Sequence, residues 1–192
     1  KNSKLFTSES VCAGHPDKMA DAISDALLDA ILAQDPHARA GIETVAGANQ
    51  VSLFGEIKTT ADIDIEKIVR QKIAELGYTN EAWGFSDKSH FNNYLHQQSP
   101  EIAQGVDADG AGDQGMMFGY ACDETLELMP LLLALAHALT RRIDTVREDG
   151  TLAWLRPDGK AQVTVRYEDE KPVSVEKLVA AVAHSEDVTA EQ

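Results

Sequence analysis

The chain has 192 residues, of which 32 are acidic and 17 basic, so its formal net charge is −15. This excess of negative charge repels nucleic acid and anionic membrane surfaces, and we expect neither as a partner. The two cysteines, Cys12 and Cys122, lack the spacing of a zinc site or a redox pair, which favours a reduced, cytoplasmic setting. The polar residues at 1–10 predict no signal peptide, and no apolar run is long enough to span a bilayer.

Apolar residues recur at three- and four-residue steps in two segments, which predicts helices there. The first helix covers residues 19–32 and is ended by Asp35-Pro36, and the second covers 62–76 with Gly77 as its C-terminal cap. Pro130 opens a third predicted helix that continues to about Arg147.

Strands are predicted between the helices. Residues 39–45 and 50–58 flank Ala46-Gly47-Ala48-Asn49 and form a hairpin, and strands are also expected at 89–96, 115–121 and 162–167. Residues 99–114 contain scattered Pro, Gly and Asp, which indicates a loop. Residues 173–184 are helical by their apolar period, and the chain ends in what looks like the opening turn of another helix.

The motif Gly14-His15-Pro16-Asp17-Lys18 combines an imidazole, a carboxylate and an ammonium group at the predicted start of a helix. Proline suits a first helical turn, and the free N–H groups of that turn attract anions. Asp17 can hold a hard cation, while His15 and Lys18 can neutralise phosphate oxygens. Taken alone, the five residues favour a capped surface helix that carries ordinary charges, and only the rest of the chain favours the phosphate site.

Several further motifs point to one family when they are taken in order along the chain. They are Phe6-Thr7-Ser8-Glu9-Ser10-Val11, Glu43-Thr44, Gly55-Glu56-Ile57, Gln98-Ser99-Pro100-Glu101-Ile102, Gln104-Gly105-Val106-Asp107, Gly110-Ala111-Gly112-Asp113-Gln114-Gly115-Met116-Met117-Phe118-Gly119-Tyr120 and Leu155-Arg156-Pro157-Asp158-Gly159-Lys160. With the histidine motif, this set resembles the N-terminal half of an S-adenosylmethionine synthetase (methionine adenosyltransferase).

The resemblance implies an α+β fold, built from repeated units of antiparallel sheet plus helix, with the third repeat of the family absent. It implies an N-terminal domain over residues 1–104 and a central domain over 105–192 that is incomplete at its C-terminal end. It also implies a strand at 173–184, in place of the helix that the apolar period favours.

The family joins ATP to L-methionine, forming S-adenosyl-L-methionine and releasing phosphate and pyrophosphate. By resemblance, His15 and Lys160 are catalytic groups at the triphosphate, and Asp158, Gly159 and Asp113 complete the nucleotide site. Asp17 is implied as a ligand of one of two Mg²⁺ ions, and Glu43 as a ligand of K⁺. A metal ion and positioned cations suit a leaving group with several negative charges.

Glu56, Gln98 and Asp113 are implied as the methionine-binding residues, because a carboxylate and an amide suit an ammonium and a carboxylate group. From the residues alone, Glu43 and Glu56 are equally compatible with solvent-facing positions on an edge hairpin. Asp113 between glycines and Lys160 after Pro157-Asp158-Gly159 are, by the same standard, compatible with ordinary turn residues. The remaining histidines, His37, His90, His96, His137 and His184, are interpreted as structural or surface residues.

The chain departs from the family pattern in three ways. Ala13 stands where family members usually carry a glutamate, and the loop between Gly105-Val106-Asp107 and Gly110-Ala111-Gly112 is short for a gating loop. Family chains are also about twice as long, and their second half supplies further site residues. The chain is therefore either a truncated part of a longer chain or one subunit of a split enzyme. We expect it to act in a homo-oligomer, or in a hetero-oligomer with a chain that carries the missing half.

Two other functions compete with the catalytic one. A non-catalytic or regulatory subunit that binds and stabilises a catalytic partner would explain Ala13, the short loop and the missing half. A magnesium-dependent polyphosphate hydrolase would keep the phosphate residues but would have no use for Glu56 and Gln98.

Overall fold

The computed structural model describes residues 2–97 and 115–189. Its elements form two compact units, one of residues 1–18 with 119–192 and the other of residues 19–118. In chain order the elements are β1 (Ser3–Val11), α1 (Pro16–Gln34), β2 (Arg39–Gly47), β3 (Gln50–Lys58), α2 (Ile65–Glu75), a 3₁₀ turn (Glu81–Trp83), β4 (His90–Gln97), α3 (Leu131–Glu148), β5 (Leu155–Glu168) and β6 (Lys171–His184).

The first unit is a three-stranded antiparallel sheet in the order β1-β5-β6, with α3 packed on one face. Residues alternate along β5, so Val163 and Val165 are fully buried against Leu132 and Ala136 of α3. The last rung of the β1–β5 pair joins Val11 to Lys160. The end of β1 therefore lies beside residues 158–160, which come much later in the sequence.

The second unit is a mixed sheet in the order β2-β3-β4, in which β2 and β3 are antiparallel and β3 and β4 are parallel. Helices α1 and α2 supply most of its core, through buried residues at three- and four-residue steps. The fully or almost fully buried members are Met19, Ile23, Leu27, Val51, Leu53, Val69 and Ile73. Among the described residues, no helix is long and apolar enough to cross a membrane.

The α+β class that the resemblance implies is confirmed, as are all three predicted helices and the hairpin. Helix α1 begins at Pro16 rather than 19, and α2 begins after Asp64, whose side chain accepts the N–H of Lys67 at 3.0 Å. The strand implied at 173–184 is also confirmed, so the helical interpretation of its period is wrong. Several of its apolar residues are exposed, and Val175 and Leu178 are each about half exposed.

The strand predicted at 115–121 is wrong, because this segment has no regular secondary structure. An apolar run becomes a strand only when a neighbouring strand pairs with its backbone, and no described residue pairs with this one. Met116, Met117 and Phe118 are consequently almost fully exposed. The division of the chain into domains 1–104 and 105–192 stays a prediction, since that boundary lies outside the described residues.

Candidate functional site

A tight turn after β1 places the histidine motif against the start of β5. The N–H of Cys12 donates to the carbonyl oxygen of Gly159 at 2.8 Å, and the N–H of His15 donates to the carbonyl oxygen of Cys12 at 3.0 Å. Gly14 lies so close to Pro157 that a Cβ at this glycine would stand 2.3 Å from the Pro157 Cβ. The two segments that the sequence assigns to phosphate binding, 15–18 and 158–160, therefore meet within the first unit.

His15 lies half-buried at the N-terminus of α1, directly before Pro16. Its Nδ1 accepts the N–H of Asp17 at 3.3 Å and lies 3.8 Å from the Asp17 Oδ2. An Nδ1 that accepts a hydrogen bond places the proton of the neutral ring on Nε2, which makes Nε2 a donor. The Asp17 carboxylate is 91% exposed and stands at the positive end of the helix dipole.

Two lysines lie at the same end of the sheet but differ in their role. Lys18 Nζ donates to the carbonyl oxygen of Val11 at 2.7 Å, so it ties the first turn of α1 to the end of β1. Lys160 is exposed at the rung opposite Val11, with half-buried Asp158 two residues before it. Both lysines are exposed, and the ammonium group of Lys18 already has one acceptor in the Val11 carbonyl oxygen.

Helix α3 contacts the end of β1 and the turn after it through residues that the sequence did not predict. Ser10 Oγ contacts His137 Nδ1 at 2.8 Å and Thr140 Oγ1 at 3.0 Å, and the Ala13 N–H donates to Asp144 Oδ2 at 3.0 Å. Burial lowers the pKa of His137 and raises that of Asp144. Their positions at steps of three and four on one helix face are the only sequence signal that could have found them.

The second unit carries Glu43 and Glu56 on its hairpin. Glu43 is exposed on β2, where it lines a shallow cleft with Asp21, Asp25 and Thr44. Glu56 is half-buried on β3 and lies 3.4 Å from the Nε2 of His96 on the adjacent strand. His96, interpreted as a structural or surface residue, is thus an ion-pair candidate for Glu56.

Three of the predicted features lie outside the described residues. They are Gln98, Asp113 and the short loop between residues 105 and 112. The roles of these residues in methionine or nucleotide binding stay predictions. So do the roles of Glu43 and Glu56.

Within residues 2–97 and 115–189, no three side chains of histidine, cysteine, aspartate or glutamate converge as a ready-made metal cage. Mg²⁺ often binds proteins through one or two carboxylates, with phosphate oxygens and waters completing its octahedron. The exposed Asp17 carboxylate beside the helix N-terminus fits that donor pattern. Glu43, with the hydroxyl of Thr44 and the carboxylates of Asp21 and Asp25 along its cleft, offers the oxygen ligands that K⁺ accepts.

Fold and site together define an α+β protein that places an imidazole, a carboxylate and a lysine around one helix N-terminus. The family model for the N-terminal domain of S-adenosylmethionine synthetase matches residues 3–100, and that for the central domain matches 108–192. The chain therefore belongs to the S-adenosylmethionine synthetase family.

Proteins named S-adenosylmethionine synthase are among its relatives. The one from Sulfurovum sp. (strain NBC37-1) is 52% identical, covering 100% of this chain and 51% of its own length. The one from Nocardia farcinica is 49% identical, covering 97% of this chain and 50% of its own length. The one from Clostridium tetani is 50% identical, covering 98% of this chain and 52% of its own length. The chain thus spans about half the length of the curated relatives it matches.

Proposed function

We propose that this chain is part of a methionine adenosyltransferase that makes S-adenosyl-L-methionine from ATP and L-methionine in the cytoplasm. The observation that carries the proposal is the packing of the His15 turn against residues 158–160, held by the Cys12–Gly159 hydrogen bond. This packing gathers a donor, a carboxylate and a cation where the helix N-terminus already favours an anion. Relatives at about 50% identity carry the corresponding enzyme name.

The proposed first step transfers the adenosyl group. A lone pair on the methionine sulfur forms a bond to C5′ of ATP, and the C5′–O bond breaks with its electrons moving onto the triphosphate oxygen. A thioether needs no general base to act as a nucleophile, so the demand falls on the leaving group. The Nε2–H of His15 donates to the triphosphate near the breaking bond, and Lys160 contacts its outer oxygens.

In the proposed second step, water adds to a phosphorus atom of the bound tripolyphosphate and yields phosphate and pyrophosphate. The same residues serve this step, because they still face the anion. Asp17 would hold a Mg²⁺ ion, which lowers the charge of the leaving group, and the resemblance gives two such ions per site. Glu43 would hold K⁺ and order its surroundings.

Glu56, Gln98 and Asp113 are proposed to bind the methionine ammonium and carboxylate groups, with Asp158, Gly159 and Asp113 in the nucleotide site. We propose that the working enzyme is a homo-oligomer, or a hetero-oligomer in which a second chain carries the remaining half of the relatives' sequence. A second candidate is a non-catalytic subunit that stabilises a catalytic partner, favoured by the alanine at position 13.

The test is to assay the chain alone and with the polypeptide encoded next to it. ATP, methionine, Mg²⁺ and K⁺ are supplied, and S-adenosylmethionine is detected by mass spectrometry. The catalytic proposal expects product in at least one pairing. Tight partner binding with no product in any pairing would support the stabilising subunit, whereas phosphate release without methionine would support a hydrolase.

His15→Ala and Lys160→Ala locate the chemistry in that assay. Each should reduce turnover by about 100-fold or more, the scale seen when a charge-stabilising donor is removed. The matched controls His37→Ala and Lys177→Ala remove an exposed histidine and an exposed lysine elsewhere, and should retain wild-type turnover. Unchanged turnover in the first pair, with intact folding by circular dichroism, would contradict the proposed roles.

A further inference from the structure

A partly buried carboxylate stands beside Ala13, and one of its oxygens has no partner. Asp144 Oδ2 accepts the Ala13 N–H at 3.0 Å, whereas Asp144 Oδ1 is inaccessible to solvent and makes no hydrogen bond with any described residue. Burial raises the pKa of this carboxyl and Glu148 adds to that rise, while the Ala13 N–H, Arg147 and Lys18 oppose it. A carboxylate in such a position lowers the stability of the fold, because its unpaired buried oxygen loses its hydration and gains no hydrogen bond in return.

The surroundings of Asp144 show where its charge acts. Asp144 lies on α3 and reaches the turn after β1 from the helix side, where residue 13 is an alanine and brings no charge of its own. Lys18 on the first turn of α1 and Arg147 on α3 favour a negative charge at this point, whereas Glu148, which is ion-paired with Arg147, opposes it. The turn thus receives its carboxylate from a segment more than 120 residues away.

We propose that Asp144 is a positioning residue for the His15 turn, and that it supplies from α3 a negative charge that residue 13 does not carry. The Ala13 N–H is fixed by Asp144, and two residues further on the His15 N–H is fixed by the Cys12 carbonyl. The turn is therefore anchored on both sides of Gly14. The effect of Asp144 on catalysis rests on the proposed function, but its anchoring of the turn does not.

The geometry gives this role a distinctive signature. The substitution Ala13→Glu in the otherwise natural chain would bring a second carboxylate to a site that already contains an unpartnered carboxylate oxygen, and like charges repel. In a chain that carries Asp144→Ala, the same substitution would instead replace the lost carboxylate with a new one near Lys18 and Arg147. It should therefore harm one background and help the other.

The experiment is a cycle of four proteins: the natural chain, Ala13→Glu, Asp144→Ala and the double variant. Thermal unfolding of each chain is followed by circular dichroism, and the Michaelis constant for ATP and the turnover number are measured in the active pairing. Glu127→Ala, which removes an exposed carboxylate of the same unit, is the control and should match the natural chain. Asp144→Asn, which keeps the shape of the side chain, replaces Asp144→Ala if the latter does not fold.

We expect each single variant to unfold at a lower temperature than the natural chain, and the double variant to regain most of the loss. Asp144→Ala should also raise the Michaelis constant for ATP by about tenfold, the worth of one hydrogen bond to a charged group, with a smaller change in turnover number. A double variant no more stable than Asp144→Ala would overturn the proposal. If no pairing makes product, the proposed function fails while the unfolding temperatures still decide this inference.

Discussion

The carbonyl oxygen of Gly159 accepts the N–H of Cys12 at 2.8 Å, directly beyond the last rung of the β1–β5 ladder. This bond joins two segments that are far apart in sequence, and each of them contributes charged groups to the candidate site. A Cβ on Gly159 would lie 3.1 Å from the Cys12 Sγ, so the contact is close as well as hydrogen-bonded. The site can form only when the sheet of the first unit has formed.

Gly14→Ala should destabilise the first unit, because the turn leaves no room for a Cβ at this position. The added Cβ would lie 2.3 Å from the Pro157 Cβ and 2.6 Å from its carbonyl oxygen, and Pro157 is itself fully buried. Relief requires β5 or the turn to shift, which costs about 1–3 kcal/mol for an overpacked site. Chemical denaturation of the two proteins measures the difference in the free energy of unfolding.

Gly41→Ala is the matched control, because nothing lies within 4 Å of a Cβ built at Gly41 on strand β2. It should leave the free energy of unfolding within about 0.5 kcal/mol of the natural chain. A Gly14→Ala protein as stable as this control would contradict the close packing of the turn on Pro157.

Local sequence patterns were sufficient to predict the elements that their own residues determine. Apolar periodicity found the first two helices and Pro130 indicated the start of the third. The hairpin followed from its turn, where Ala48 and Asn49 adopt φ values of 48° and 59°. Residues 115–121 and β6 show where this fails. Both are rich in apolar residues, but only β6 pairs with a neighbouring strand of the described chain, and pairing partners are set by the tertiary fold rather than by local composition.

The candidate site divides in the same way. His15 and Asp17 could be identified from one short motif, and residues 158–160 from their resemblance to a family. The contacts of Asp144 with Ala13 and of His137 with Ser10 could not, because they span more than 120 residues and depend on how α3 packs. The proximity of Glu56 to the ring of its neighbour on β4 likewise depends on the parallel register of β3 and β4, which no local pattern encodes.

Cys12 should be chemically inert in the folded protein. It is 1% exposed, and burial, with Asp144 and Asp158 nearby, raises the pKa of its thiol to about 12. At pH 8 only about one such thiol in ten thousand is ionised, so alkylation should occur only when the protein transiently unfolds around Cys12. The measurement is the rate of iodoacetamide labelling of a Cys122→Ser variant, with and without denaturant.

The complementary variant, Cys12→Ser, leaves the half-exposed Cys122 as its only thiol and serves as the control. It should be labelled readily in native buffer. If Cys12 were labelled in native buffer as fast as in denaturant, the turn after β1 would be open in solution and the described packing would be wrong.

The ion pair between Arg166 and Glu176 should stabilise the first unit at neutral pH, and this stabilisation should be lost in acid. Arg166 Nε donates to Glu176 Oε1 at 2.9 Å and Nη2 donates to Oε2 at 3.0 Å, a two-point contact between β5 and β6. These bonds, with one from Ser174, lower the pKa of Glu176 from 4.5 to about 2. Because the folded pKa is the lower one, the contribution is fully present above pH 4.5 and is lost as the pH falls toward 2.

Glu176→Gln should therefore unfold at a lower temperature than the natural chain at pH 7, and the gap should close between pH 4.5 and 2. Glu186→Gln, which removes an exposed carboxylate next to the end of β6, should show no such pH-dependent gap. The pair is solvent-accessible, so added salt should also narrow the gap at pH 7. A gap that persists unchanged at pH 2 would mean that Glu176 stabilises β6 through packing rather than through its charge, since a protonated carboxyl no longer attracts Arg166.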